Sequence, residues 1–165
     1  MQRIPFSAPT FALRGVYTGR VVSLHDGDTF SCVIPILDTF YKFSIRLNGI
    51  DTAEMTSKDE KLRSRAFLAR ERLFELITGQ KIDTLAWRKS DFDKYFETNY
   101  TTVMMNCKEL DKYGRVLADV SNFSDILVNE KLAYRYDGGT KLTDDDIKRI
   151  QSMFIFFNSL SKTCR

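Results

Sequence analysis

From Gly15 to Leu24 the chain reads as a strand, Gly-Val-Tyr-Thr-Gly-Arg-Val-Val-Ser-Leu, and the Asp26-Gly27-Asp28 turn separates it from a hairpin partner, Thr29 to Ile36. A third strand, Phe40 to Leu47, alternates with a period of two: Tyr41, Phe43 and Ile45 on one side, Lys42, Ser44 and Arg46 on the other. With the Phe43/Ile45 face in the core, Arg46 falls on an opposite, solvent-reachable surface. The period then changes. Leu62, Ala66, Ala69, Leu73, Leu76 and Ile77 recur at helical spacing, with Lys61, Arg63, Arg65, Arg70 and Arg72 on the wetter side. Ser57 with Glu60 predicts a capping box at its start and Gly79 a C-terminal cap.

Lys81 to Trp87 reads as mixed strand, and Arg88 to Thr101 as an excursion without a clear period. Thr102–Cys107 and Arg115–Val120 form a further hairpin around Lys112-Tyr113-Gly114. Ser124 predicts a cap for a short helix over 125–133. Thr143 followed by three aspartates opens a last helix, with Ile147, Ile150, Phe154 and Phe157 as its apolar face.

About five strands and separate helices imply an α+β fold, and a small closed barrel removes exposed strand edges. Residues 1–14 read as a lead-in and 15–165 as a single domain, a size at which 43% apolar residues fill one core. A net charge of +3 favours no class of partner. Cys32, Cys107 and Cys164 are an odd set without close spacing, which argues against a disulfide framework or a zinc knuckle. No leader-like apolar segment and no run of about 18 apolar residues stands out, so a soluble, intracellular chain is expected, with a monomer as the default.

Three segments carry chemistry: Asp26-Gly27-Asp28-Thr29, Arg46 through Asp51-Thr52-Ala53-Glu54, and Asp111-Lys112-Tyr113-Gly114-Arg115. Carboxylates can hold a hard divalent cation or activate water, and paired arginines match phosphate oxygens bidentately. Taken singly, each piece is an ordinary turn or surface ion pair; together they supply what phosphodiester cleavage requires. His25, the only histidine, is read as a solvated loop residue, because this chemistry needs none. Asp144-Asp145-Asp146 is read as helix capping, and the apolar run from Phe154 to Phe157 as core or interface.

In order and spacing these motifs resemble the staphylococcal nuclease (thermonuclease) family, from about Gly15 to Tyr136: Asp-Gly-Asp-Thr, then Arg46-x-x-x-x-Asp51-Thr52-x-Glu54, then Asp111-Lys-Tyr-Gly-Arg115, then Val128-Asn129 and Leu132-Ala133. The resemblance implies an OB-fold, a five-stranded barrel with three helices. It also implies calcium-dependent cleavage of DNA and/or RNA, preferring single-stranded or flexible substrate and leaving 3′-phosphate ends. By motif, Asp28 and Asp51 correspond to calcium carboxylates and Thr52 to the residue whose carbonyl completes the site. Glu54 corresponds to the general base, and Arg46 and Arg115 to the phosphate-binding arginines. Lys112 and Tyr113 correspond to positions beside substrate phosphates, and Tyr134 or Tyr136 to a nucleotide-contacting tyrosine. The usual proline before the general base is Ala53 here, a change that removes a backbone restraint on Glu54. The alternative is a catalytically weak or inactive OB-fold module that binds nucleic acid or protein. Such a module loses charged residues, whereas Asp28, Arg46, Asp51, Glu54 and Arg115 are all present.

Overall fold

The computed structural model describes residues 12–139 and 142–150. Five strands close into a barrel: β1 (Gly15–Leu24), β2 (Thr29–Ile36), β3 (Thr39–Leu47), β5 (Thr102–Leu110) and β6 (Val116–Asp119), in the order β1-β2-β3-β6-β5. All pairs are antiparallel except β3 with β6, which run parallel and complete the closure. A two-stranded sheet, β4 (Ile50–Thr52) with β7 (Ala133–Arg135), stands beside it. This is the α+β architecture, consistent with an OB-fold barrel, that the sequence predicts, with four helices among the described residues where the resemblance implies three. The helices are α1 (Glu60–Thr78), α2 (Lys89–Thr98), α3 (Phe123–Asn129) and α4, helical over 144–150.

The barrel interior is filled by Val21, Leu24, Phe30, Ile34, Ile45, Leu47 and Met105, all essentially inaccessible. Val21 and Leu24, three apart, both face inward because a bulge between Val21 and Ser23 resets the alternation. Gly19 lies where a side chain has no room, since a Cβ there would meet Cys32, Ile34 and Met105 at 3.0–3.1 Å.

Helix α1 starts one turn signal later than predicted. Asp59, in extended conformation, is the N-cap, its carboxylate accepting from the backbone of Lys61 and Leu62 at 2.9 and 3.1 Å. A charged cap adds a favourable term with the helix dipole that a serine lacks. Ser57 instead ties the preceding turn, accepting from Asp59 N and donating to Asp144 of α4. Gly79 ends the helix in left-handed conformation, as its position predicts. Arg70 is buried rather than on the wet face: its guanidinium donates to the Trp87 carbonyl and lies over the Phe67 and Phe92 rings.

The excursion over 88–101 is mostly helical. It contains α2, which packs on the barrel by burying Phe92 and Phe96 completely in the cluster of Phe74, Trp87 and Tyr95. Full burial of a phenylalanine contributes about 1.5–3 kcal/mol, enough to hold a ten-residue helix. Residues 81–87 are irregular, not strand, because β1 is already flanked by β2 and β5 and the closed barrel leaves no edge to extend. The short third helix begins at Phe123 and ends at Asn129; Ser124 donates to the Asn48 carbonyl instead of capping it. Thr143 and Asp146 form a reciprocal cap on α4, which accounts for part of the aspartate run. Cys32 and Cys107 are free and buried, while Cys164 and the run from Phe154 to Phe157 lie outside the described residues.

Candidate active site

Three strand pairings assemble the chemistry. Thr29 on β2 stands opposite Arg46 on β3, and β6 lies parallel beyond it with Val116 opposite Ile45, which carries Arg115 to the same end of the barrel. Asp28 precedes β2, and its carbonyl accepts from Leu47 N at 2.8 Å. Asp51 sits in β4, directly opposite Tyr134 in β7. Gly27 has its own reason for being glycine. A Cβ there would fall 2.5 Å from the Ala69 side chain, so the acidic turn rests directly on α1.

The side chains then form one continuous network. Arg46 Nη2 donates to Asp28 Oδ2 at 3.2 Å and to Asp51 Oδ1 at 2.7 Å, so one nitrogen bridges two buried carboxylates. Thr29 Oγ1 donates to Asp28 Oδ1 at 2.7 Å and accepts from Arg115 Nη1 at 3.4 Å. On the far side Tyr134 donates its hydroxyl to Asp51 Oδ2 at 2.8 Å. The Tyr136 ring lies 5.4 Å from the Arg46 guanidinium, and its hydroxyl donates to the Gly139 carbonyl.

Arg115 is aimed by a residue to which the sequence reading gave no role. Asp111 accepts from the backbone of Tyr113 and Arg115 through Oδ1 and from Arg115 Nε through Oδ2 at 2.7 Å. Although partial burial works against it, these hydrogen bonds hold the Asp111 carboxyl below its ordinary range. Gly114 permits the turn with φ of 79°. The available signal was the i,i+4 spacing of the aspartate and arginine across a glycine turn. Thr29 and Asp26 were likewise missed as supports; Asp26 Oδ1 accepts from Asp28 N at 3.2 Å.

Arg46 is only 7% exposed, not on a solvent-reachable surface. It does lie on the face opposite Ile45, as alternation requires, but the two carboxylates and Tyr136 cover it. His25 is half-buried and exchanges a hydrogen bond with Ser31 Oγ at 2.8 Å; burial lowers its pKa. Glu54 is exposed, and its charge reaches Tyr134, whose pKa is raised by burial first and then by Asp51. Ala53 is buried with Leu62, Ala66 and Ile147, and Ser57 N donates to the Glu54 carbonyl, so packing and a turn restrain this segment in place of a proline. Lys112 and Tyr113 extend outward from the turn beside Arg115, with Tyr113 73% exposed.

Burial, and then the neighbouring charge of Asp26, push the Asp28 carboxyl well above its ordinary value, against the pull of Arg46. Three aspartates thus crowd one end of the barrel around a single bridging arginine. Hard carboxylate oxygens of this kind are the donors that oxygen-seeking divalent cations take. Among the described residues no group of three or more histidine, cysteine, aspartate or glutamate side chains that could hold a metal ion is found. No model of a known protein family matches the chain, and no curated protein matches it. Among the described residues no helix is long and apolar enough to cross a membrane.

Proposed function

We propose that this chain is a calcium-dependent nuclease of the staphylococcal nuclease type, hydrolysing phosphodiester bonds of DNA and/or RNA. The observation that carries the reading is the convergence of Asp28 and Asp51 on Arg46, with Arg115 joined to the same cluster through Thr29. Acids for a cation and two guanidinium forks for a phosphate lie within one hydrogen-bonded network.

Asp28, Asp51 and the Thr52 carbonyl would hold the calcium ion, which would supply positive charge against a non-bridging phosphate oxygen. Arg46 and Arg115 take the oxygens on which charge grows as phosphorus becomes five-coordinate. Glu54 orients the attacking water and accepts its proton. The water oxygen bonds to phosphorus in line with the 5′ oxygen, which leaves and takes a proton from solvent, so phosphate stays on the 3′ side. Lys112 neutralises an adjacent phosphate, and the exposed Tyr113 offers a ring for a base. Both favour flexible, single-stranded substrate.

The test is cleavage of denatured DNA by the purified chain with calcium or chelator. Removing Arg115 as alanine lowers the rate by about 10²–10³. Glu54→Ala lowers it by roughly 10²–10⁴. Calcium-dependent products with 3′-phosphate ends, lost in both variants, support the assignment. A folded protein that cleaves nothing with any divalent cation overturns it in favour of a binding module.

A further inference from the structure

We propose that Tyr134 is a positioning residue for the cation site, acting through Asp51 and not by contact with a nucleotide; the inference rests on the calcium reading given above. The small β4–β7 sheet pairs Asp51 directly with Tyr134, and directly opposed residues project their side chains from the same face within about 5 Å of one another. The phenol donates to Asp51 Oδ2 at 2.8 Å while Arg46 donates to Oδ1, so the two oxygens of this carboxylate face two different donors. Their fates differ in a working site. Arg46 has a second task, to take the oxygens of an incoming phosphate, whereas nothing in the reaction draws the tyrosine away. Tyr134 is therefore a donor that stays on Asp51 when Arg46 turns to substrate.

The ring is anchored for this task. Tyr134 is half-buried and packs on the cluster of Ala53, Leu62, Ala66 and Ile147, so its hydroxyl has a fixed origin. A ring packed on that cluster and tied through its hydroxyl to an acid is poorly placed to stack on a base. Tyr136, with its ring on Arg46 and its hydroxyl on Gly139, makes no such contact with Asp51 among the hydrogen bonds of the described residues.

The experiment is calcium titration of the full chain without any nucleotide, by calorimetry and by calcium-dependent rise of the thermal midpoint. Removal of a hydrogen-bonding partner behind a metal ligand typically weakens metal affinity by about 10–100-fold. Tyr134→Phe, which keeps the packed ring, is expected to fall in that range. Tyr95→Phe, which removes a phenol bonded to Gln80 on another part of the molecule, should leave the affinity unchanged. In an Asp51→Asn background, Tyr134→Phe should cost nothing further, because the pathway it acts through is gone. If wild-type chain takes up calcium and Tyr134→Phe takes it up equally well, Tyr134 is no positioning residue while the nuclease reading stands. If the variant takes up calcium as wild type does but binds a short oligonucleotide more weakly in a parallel titration, Tyr134 is a substrate contact and the inference is overturned. If wild-type chain takes up no calcium, the cation reading fails and this inference falls with it.

Discussion

Ionised Asp28 is costly to the fold at neutral pH. Its carboxyl is held above the ordinary value of 3.8 by burial and by Asp26, so the folded chain binds this proton more tightly than the unfolded chain does. Stability therefore falls as pH rises from the ordinary aspartate range through the raised value, and the loss is complete once Asp28 is ionised. His25 acts with the opposite sign. Its pKa lies below 6.5, so the stability it contributes is present above that value and is lost as pH falls through the lowered one. The expected outcome with chelator is that Asp28→Asn raises the thermal midpoint at neutral pH and removes the gain on mild acidification, while His25→Gln removes the opposing slope. Calcium should raise the midpoint of wild-type chain more at neutral than at acid pH, because protons and the cation compete for the same oxygens. Thermal scans over about pH 4 to 8, with and without calcium, check all three. An Asp28→Asn variant less stable than wild type at pH 7 without metal would show that the Arg46 ion pair outweighs the burial of charge.

At the scale of elements, the acidic turn and α1 are a single piece of packing. Gly27→Ala places a methyl 2.5 Å from Ala69, and the glycine is excused by this contact, not by a positive φ. Relief requires the turn or the helix to move, at a cost of about 1–3 kcal/mol. Because Asp28 follows directly, cleavage should fall with stability, whereas Phe92→Ala in α2, which costs about 3–5 kcal/mol, should spare the rate of the molecules that remain folded. Chemical denaturation alongside initial rates at low temperature separates the two. The same contact shows what a sequence hides. Alternation revealed β1, β2 and β3, and the turn residues revealed where each ends, because these are local signals. That Gly27 touches Ala69, or that α2 docks through Phe92 and Phe96, depends on residues more than forty positions apart for the first and on a barrel surface for the second. A ten-residue helix with two aromatic anchors leaves too short a period to read.

For the molecule as a whole, closure decides which residues meet. The parallel β3–β6 pairing brings Arg115 alongside a site whose acids come from before β2 and within β4, and no local pattern encodes that pairing. Spacing located the residue types; the barrel buried Arg46 between two acids and the β4–β7 sheet gave Asp51 its tyrosine, which alternation alone could not foresee. On the proposed nuclease reading the site offers few cations to a polyanion: Arg46 and Arg115 for the scissile phosphate and Lys112 beside it, on a chain of net charge +3. Neutralising about three phosphates of a single strand gives a slope of log affinity against log salt of about −2, since each contact contributes roughly −0.7. Binding of a short single-stranded oligonucleotide to Glu54→Ala, titrated from low to high salt with calcium present, should show that shallow slope. Lys112→Ala should reduce it by about 0.7 without changing preference among sequences. A much steeper slope would mean that the exposed basic residues of α1 also track the strand, and would move the nucleic-acid path onto the helix face.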